Sequence, residues 1–160
     1  MDINESFYTD FLKILNEYKV KYLLIGGYAV NLHGYSRYTG DLDIWSDPSK
    51  ENAEKLITAI DKFGFDTEIL KGKDFLNESP IKLSEDILKI EILHSIVGGF
   101  TFEEAYNRSL EMDIGGLKFR LISFQDLITN KEKSMRMKDA TDVYYLKEIK
   151  KIQDKKNEQN

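Results

Sequence analysis

Residues 22–46 read Tyr22-Leu-Leu-Ile-Gly-Gly-Tyr-Ala-Val-Asn-Leu-His-Gly-Tyr-Ser-Arg-Tyr-Thr-Gly-Asp-Leu-Asp-Ile-Trp-Ser46, and the fold turns on this stretch. It opens on an apolar run, Tyr22 to Ile25, short enough to be a buried strand. Gly26-Gly27 stops that strand. Ala29, Val30 and Leu32 then fall on one face of a short helix, which Gly34 can end in the left-handed conformation. Asp41-Leu-Asp-Ile-Trp45 alternates polar and apolar and predicts a second strand. Side chains two apart on a strand share a face, so Leu42 and Ile44 enter a core while Asp41 and Asp43 project together on the other side. Neighbouring carboxylates repel unless a cation lies between them; a divalent metal ion is the natural one.

The regions flanking this centre extend the pattern. Phe7, Phe11, Leu12 and Leu15 recur at helical spacing and predict a helix over 3–17. Downstream, Asp47-Pro48 is a capping residue followed by a first-turn proline. The predicted helix runs to Phe63, with Ala53, Leu56, Ile57 and Ile60 on its buried stripe and Gly64 as its stop. Phe65 to Leu70 reads as a strand, 71–80 as a polar loop, and Ile81 to Leu83 as a short strand. After a turn at Ser84-Glu-Asp86, Ile87 to Leu93 forms a clearer strand. Glu91 lies in its middle, a carboxylate that costs stability there unless it is paired, hydrogen-bonded or metal-bound.

Thr101 and Glu104 make a capping box for a helix over 102–109. Gly115-Gly116 joins two strands, Glu111 to Ile114 and Leu117 to Leu121, in a hairpin. Ser123 and Asp126 form a second box, opening a helix to Met135. A last helix covers 138–152, and residues 153–160 form a polar, disordered tail. The alternation of helices and strands is an α/β pattern, and the organisation is one domain over 1–152.

Composition bounds the chemistry. The chain has 160 residues, 41% of them apolar, and a net charge of −5. With no cysteine, disulfides, thiolate metal sites and a cysteine nucleophile are excluded. No apolar run reaches membrane-spanning length, and no signal peptide opens the sequence; a cytoplasmic protein with no membrane partner is the expectation. The acidic balance argues against a long nucleic-acid partner, and Lys131 to Lys138 is the one cluster that could serve it.

The central stretch resembles the nucleotidyltransferase superfamily that includes DNA polymerase beta. That pattern is a strand, a Gly-Gly or Gly-Ser pair, a short helix, then Asp-x-Asp on the next strand and a third carboxylate on a later one. Here these are Gly26-Gly27, Asp41-Leu42-Asp43 and Glu91. Gly-Gly-Tyr-Ala-Val, then His33-Gly34, Arg37, Thr39 and Asp-Leu-Asp-Ile, is especially similar to small bacterial members, including abortive-infection toxins and, more distantly, aminoglycoside and lincosamide nucleotidyltransferases. Ile122-Ser-Phe-Gln-Asp-Leu-Ile with Lys131, Arg136-Met-Lys-Asp139, Asp142 and Leu146 resembles their helical end. The resemblance implies the nucleotidyltransferase fold, an α/β (α+β) arrangement of a small mixed sheet flanked by helices with a helical C-terminal segment.

It also implies a metal-dependent transfer of a nucleoside monophosphate from a nucleoside triphosphate to an acceptor hydroxyl. Asp41, Asp43 and Glu91 are the implied catalytic residues and ligands of two Mg²⁺ ions, with Mn²⁺ as a substitute. Gly26 and Gly27 let backbone N–H groups approach the triphosphate, Arg37 and Lys131 are candidate phosphate contacts, and Tyr28 a candidate base-stacking residue. The acceptor is a transfer-RNA end, a protein hydroxyl or a small molecule, and an antitoxin is a candidate partner.

Each feature has a plainer reading. Asp41 and Asp43 could be edge-strand residues, and Glu91 stands where aspartate is usual, with Asp86 as its fallback. His33 reads as structural and His94 as surface. Arg37 could pair with an acidic neighbour, and Lys131, Lys138, Asp139 and Asp142 could be a solvated helix face. An inactive binding protein of the same fold, such as one half of a toxin–antitoxin pair, is the competing function.

Overall fold

The computed structural model describes residues 6–75 and 79–160; residues 3–5 of the first predicted helix and 76–78 of the polar loop lie outside them. The elements are α1 (Ser6–Glu17), β1 (Tyr22–Ile25), α2 (Gly26–Leu32), β2 (Asp41–Ser46), α3 (Lys50–Phe63), β3 (Ile81–Glu85), β4 (Leu88–Leu93), α4 (Phe102–Arg108), β5 (Leu110–Ile114), β6 (Leu117–Leu121), α5 (Phe124–Ser134) and α6 (Met137–Glu158). Six strands form one mixed sheet in the order β3-β4-β2-β1-β6-β5. The β1–β2 pair is antiparallel, β2–β4 and β1–β6 are parallel, and the β3–β4 and β5–β6 hairpins close the two edges. This is the small mixed sheet with flanking helices and a helical C-terminal segment that the resemblance implies.

The apolar pattern explains the layering. All four residues of β1 are buried, as befits a strand covered on both faces. Leu42 and Ile44 of β2 are fully buried, as are Phe11, Leu12 and Leu15 of α1 and Leu56 and Ile60 of α3. At about 25 cal/mol per Å² of apolar surface, each such side chain contributes roughly 1.5–3 kcal/mol. Among the described residues no helix is long and apolar enough to cross a membrane.

Local chemistry departs from the sequence reading at several points. No strand forms over 65–70; Glu68–Leu70 is one 3₁₀ turn. Asp66 Oδ1 accepts the Glu68 N–H at 3.0 Å, a local turn that competes with extension, while β3 takes the place beside β4. The cap of α3 is Ser49, whose Oγ accepts from Asn52 N–H; Asp47 instead accepts the Ser49 N–H at 3.1 Å, with Pro48 outside the helix. Ser123 does cap α5, but the Asp126 carboxylate turns to Arg108, at 3.0 and 3.1 Å, instead of back to the cap.

His94 is buried, contrary to the surface expectation. It continues the inward face of Leu88, Ile90 and Ile92, stacks on Phe75 at 4.4 Å, and places Nδ1 3.2 Å from Ser46 Oγ. Finally, α6 runs on through residues 153–158, which the composition alone assigns to a disordered tail. Gln, Lys and Glu are adequate helix formers, and Lys150 pairs with Asp154 one turn on, at 3.1 Å.

Candidate active site

Strand register assembles the site. In the parallel β2–β4 ladder Asp41 lies opposite Lys89 and Asp43 opposite Glu91. In the β1–β2 ladder Asp43 faces Ile25, the residue before Gly26. The two acidic residues of β2 and the one on β4 therefore share the end of the sheet where β1 gives way to α2. Asp86, the alternative third carboxylate, lies in the β3–β4 turn with φ of 57°.

Asp43 is the centre of this arrangement. Gly26 has φ of +69°, and a Cβ there would collide with Asp43 Oδ2, so the bare glycine is what lets the carboxylate lie against the backbone. The second glycine does the same for Thr39: a Cβ on Gly27 would collide with Thr39 Oγ1 and stand 3.3 Å from Arg37 Nη1. Burial first, then the charges of Glu91 and Asp41, push the Asp43 carboxyl up to about 7, against a smaller pull from Lys131 and Arg136. Burial and two neighbouring negative charges thus act together on one carboxyl, a combination found at functional sites.

Two depressions meet at Asp43. One, of about 630 Å³, holds Glu91 together with Gly26, Ser95, Lys131, Ser134 and Arg136, over an apolar wall of Leu93, Ile96 and Val97. The other, of about 360 Å³, holds Asp41 together with Gly27, Thr39, Gly40, Lys89 and Lys138. Asp41 and Glu91 thus flank Asp43 on opposite sides. Among the described residues no group of three or more His, Cys, Asp or Glu side chains is placed to hold a metal ion; Asp43 is the acidic residue common to the two depressions.

The candidate phosphate contacts have other partners. Arg37 forks onto Asp142, Nε to Oδ1 at 2.6 Å and Nη2 to Oδ2 at 2.7 Å, and its Nη1 donates to Tyr38 O at 2.8 Å. Lys131 Nζ lies 2.8 Å from Asp139 Oδ1 and 2.9 Å from Asp142 Oδ2. Ser134 Oγ and Arg136 Nε complete the shell of Asp139, the latter at 2.8 Å. Burial raises the carboxyls of Asp139 and Asp142, but these donors outweigh it: Asp139 is held at about 2 and Asp142 below its ordinary range. Lys131, Asp139 and Asp142 therefore form a buried ion-pair network and not a solvated helix face, whereas Lys138 is exposed.

Tyr28 is buried edge-on against Tyr8, so it belongs to the core and not to a base-stacking surface. His33 is structural, as expected: its Nε2–H donates to Ile122 O at 2.8 Å, and burial lowers its pKa. The lining residues that sequence reasoning did not assign to the site are Ser95 and Lys89, with Arg136 and Lys138, which it quoted only within the C-terminal resemblance and charge cluster. The alternation of β4 carried a signal for Lys89, since it shares a face with Glu91. Ser95 and Arg136 come from loops, where no periodicity applies.

The fold and the paired acidic groups define a protein of the nucleotidyltransferase class. Residues 4–159 match the family model described as nucleotidyl transferase of unknown function (DUF2204), and the chain belongs to that family. Comparison with curated proteins gives no match. Among solved structures, the chain is similar to the lincomycin-bound lincosamide antibiotic adenylyltransferase LnuA, with 23% identity and a TM-score of 0.59 over 89% of this chain and 96% of that one. It is also similar to a protein from Thermotoga maritima proposed to be a nucleotidyltransferase, with 20% identity and a TM-score of 0.61 over 92% and 96%. These likenesses are of fold.

Proposed function

We propose that the chain is a metal-dependent enzyme that moves a nucleoside monophosphate from a nucleoside triphosphate to an acceptor hydroxyl, with Asp41, Asp43 and Glu91 as its acidic groups. One observation carries this reading: Asp43 packs on Gly26 and lines both depressions, one with Glu91 and one with Asp41, and burial together with those two charges pushes its carboxyl up to about 7. A hard divalent cation suits that arrangement. Mg²⁺ takes only one or two carboxylates per site and completes its shell with water and substrate phosphate, so pairs of acidic groups sharing Asp43 fit it without a closed cage. Asp41 and Asp43 would hold one ion, Asp43 and Glu91 a second, with Mn²⁺ as a substitute. When bound, such ions neutralise phosphate charge and favour in-line displacement.

The chain's own residues divide the remaining work. Gly26 seats the Asp43 carboxylate by having no Cβ. Lys131, held by Asp139 and Asp142, directs its charge at Asp43 and keeps it more acidic than it would otherwise be. Glu91 faces the larger lobe, where it can orient an acceptor hydroxyl and take up its proton. Leu93, Ile96 and Val97 give that lobe an apolar wall suited to the body of an acceptor.

Calorimetry of each nucleoside triphosphate with Mg²⁺ tests the reading, using the wild type and Asp43→Asn. Metal-dependent binding that the variant loses, followed by pyrophosphate release with an acceptor, is the expected result. Binding without release across transfer-RNA ends, protein and small-molecule acceptors would leave a nucleotide-binding protein. No triphosphate binding would sink the proposal.

A further inference from the structure

We infer that the phosphate tail of the donor is gripped by Lys89 and Lys138, in the lobe beside Asp41, and not by Arg37 and Lys131; this rests on the nucleotidyl-transfer reading above. Arg37 Nη1 stands 3.3 Å from where a Gly27 Cβ would be, and Lys131 lines the lobe that holds Asp43 and Glu91, yet both are already neutralised. The two oxygens of Asp142 take Nε and Nη2 of Arg37, and Lys131 Nζ is shared between Asp142 and Asp139. Bringing either onto a phosphate would strip charge from Asp142, which is wholly buried and costly to leave unpaired.

Lys89 and Lys138 are differently placed. Both are exposed, both line the lobe that contains Asp41 and Asp43, and neither is in an ion pair among the described residues. They come from different elements, β4 and the first turn of α6, and so approach the lobe independently. The rest of this lobe suits phosphate oxygens. It offers the Thr39 hydroxyl and the backbone of Gly27 and Gly40, and its large apolar members, Tyr38 and Ile87, are both exposed, whereas Leu93, Ile96 and Val97 wall the other lobe. Lysine is well matched to this task, since an ammonium on a flexible stem can follow a mobile phosphate chain. The two lobes then have separate roles on either side of Asp43: phosphates beside Asp41, acceptor beside Glu91.

The test uses the full chain, Mg²⁺ and two probes, inorganic tripolyphosphate and ATP, with adenosine as the phosphate-free control. Lys89→Ala and Lys138→Ala should each weaken tripolyphosphate and ATP binding about tenfold, leave adenosine unchanged, and flatten the salt dependence of binding. Lys→Arg at either position should restore affinity, which a packing role would not require. Because both side chains are exposed, thermal melts of the variants should match the wild type.

A double variant that binds tripolyphosphate like the wild type overturns the inference. So does an Arg136→Ala variant, in the opposite lobe, that costs more than the two lysines together. In both cases wild-type binding of ATP would leave the transfer reading standing. If the wild type binds no nucleoside triphosphate, both fall.

Discussion

Two clusters of acidic residues lie within reach of Lys131, and the protein treats them in opposite ways. In the first, Asp41, Asp43 and Glu91 crowd together and the buried member is pushed up to about 7. In the second, Asp139 and Asp142 are more deeply buried, yet Asp139 is pulled down to about 2 because Lys131, Ser134 and Arg136 all address it. Residue type and burial do not separate the two; compensation does. A carboxylate whose partners are all supplied by the chain reads as structural, and one whose partners are missing is a candidate for a partner from outside.

The comparison is broken most severely at Asp142. Replacing it with alanine leaves Lys131 and Arg37 with one buried counter-charge fewer, and loss of one member of a buried pair costs about 3–5 kcal/mol. Urea unfolding should show this loss. The Arg37→Ala, Asp142→Ala double variant should lose less than the sum of the single variants, because the two act as a unit. An additive result would mean that the fork contributes little.

Gly26→Ala comes next. It imposes a side chain at φ of +69° and drives a methyl into Asp43 Oδ2. The backbone term alone is about 1–2 kcal/mol, and the displaced carboxylate adds loss of metal-dependent nucleotide binding. Gly64→Ala is the control. It shares the left-handed backbone, with φ of +111°, but meets nothing within 4 Å, so calorimetry should show nucleotide binding unchanged.

Asp43→Asn sharpens the contrast by moving stability the other way. It removes a charge that the fold does not compensate, so the variant should be more stable than the wild type at neutral pH, by about 1–2 kcal/mol, while binding no metal–nucleotide complex. Asp139 gives the opposite sign. Its carboxyl is depressed from an ordinary 3.8 to about 2, so its contribution is fully present above about pH 4 and is lost as the pH falls towards 2. The loss amounts to about 2 kcal/mol and is read from urea midpoints between pH 5 and 2.5.

These two clusters were not equally legible. Asp41 and Asp43 share a strand face by simple alternation, and Glu91 follows from the alternation of β4; the sheet order then brings the two strands side by side. The glycines were also visible, as room for phosphate; that the space left by their missing Cβ atoms seats Asp43 and Thr39 was not. The ion-pair network was hidden because Arg37 and Asp142 are brought together only by the docking of α6 over the loop before β2. Helical periodicity cannot show such a contact, so Asp139 and Asp142 looked like solvent-facing residues. His94 was misjudged for a simpler reason: a polar residue continued an inward apolar face, and its type outweighed its position.

The end of α6 marks the smallest effect. Residues 153–160 are all exposed, and within them helix formation is favoured by propensity and the Lys150–Asp154 pair, at 3.1 Å. An exposed pair of this kind contributes about 0.3–0.5 kcal/mol. Gln153 still borders Gly34, its Nε2 3.5 Å from where a Cβ would be, beside Ile149. Deleting residues 154–160 should therefore cost less than about 0.5 kcal/mol and leave nucleotide binding unchanged, whereas helicity by circular dichroism should fall. A larger loss of stability would mean that the far end of α6 supports the clamp on Arg37 and Lys131, and the boundary between the compensated cluster and the solvent would have to be moved outward along the helix.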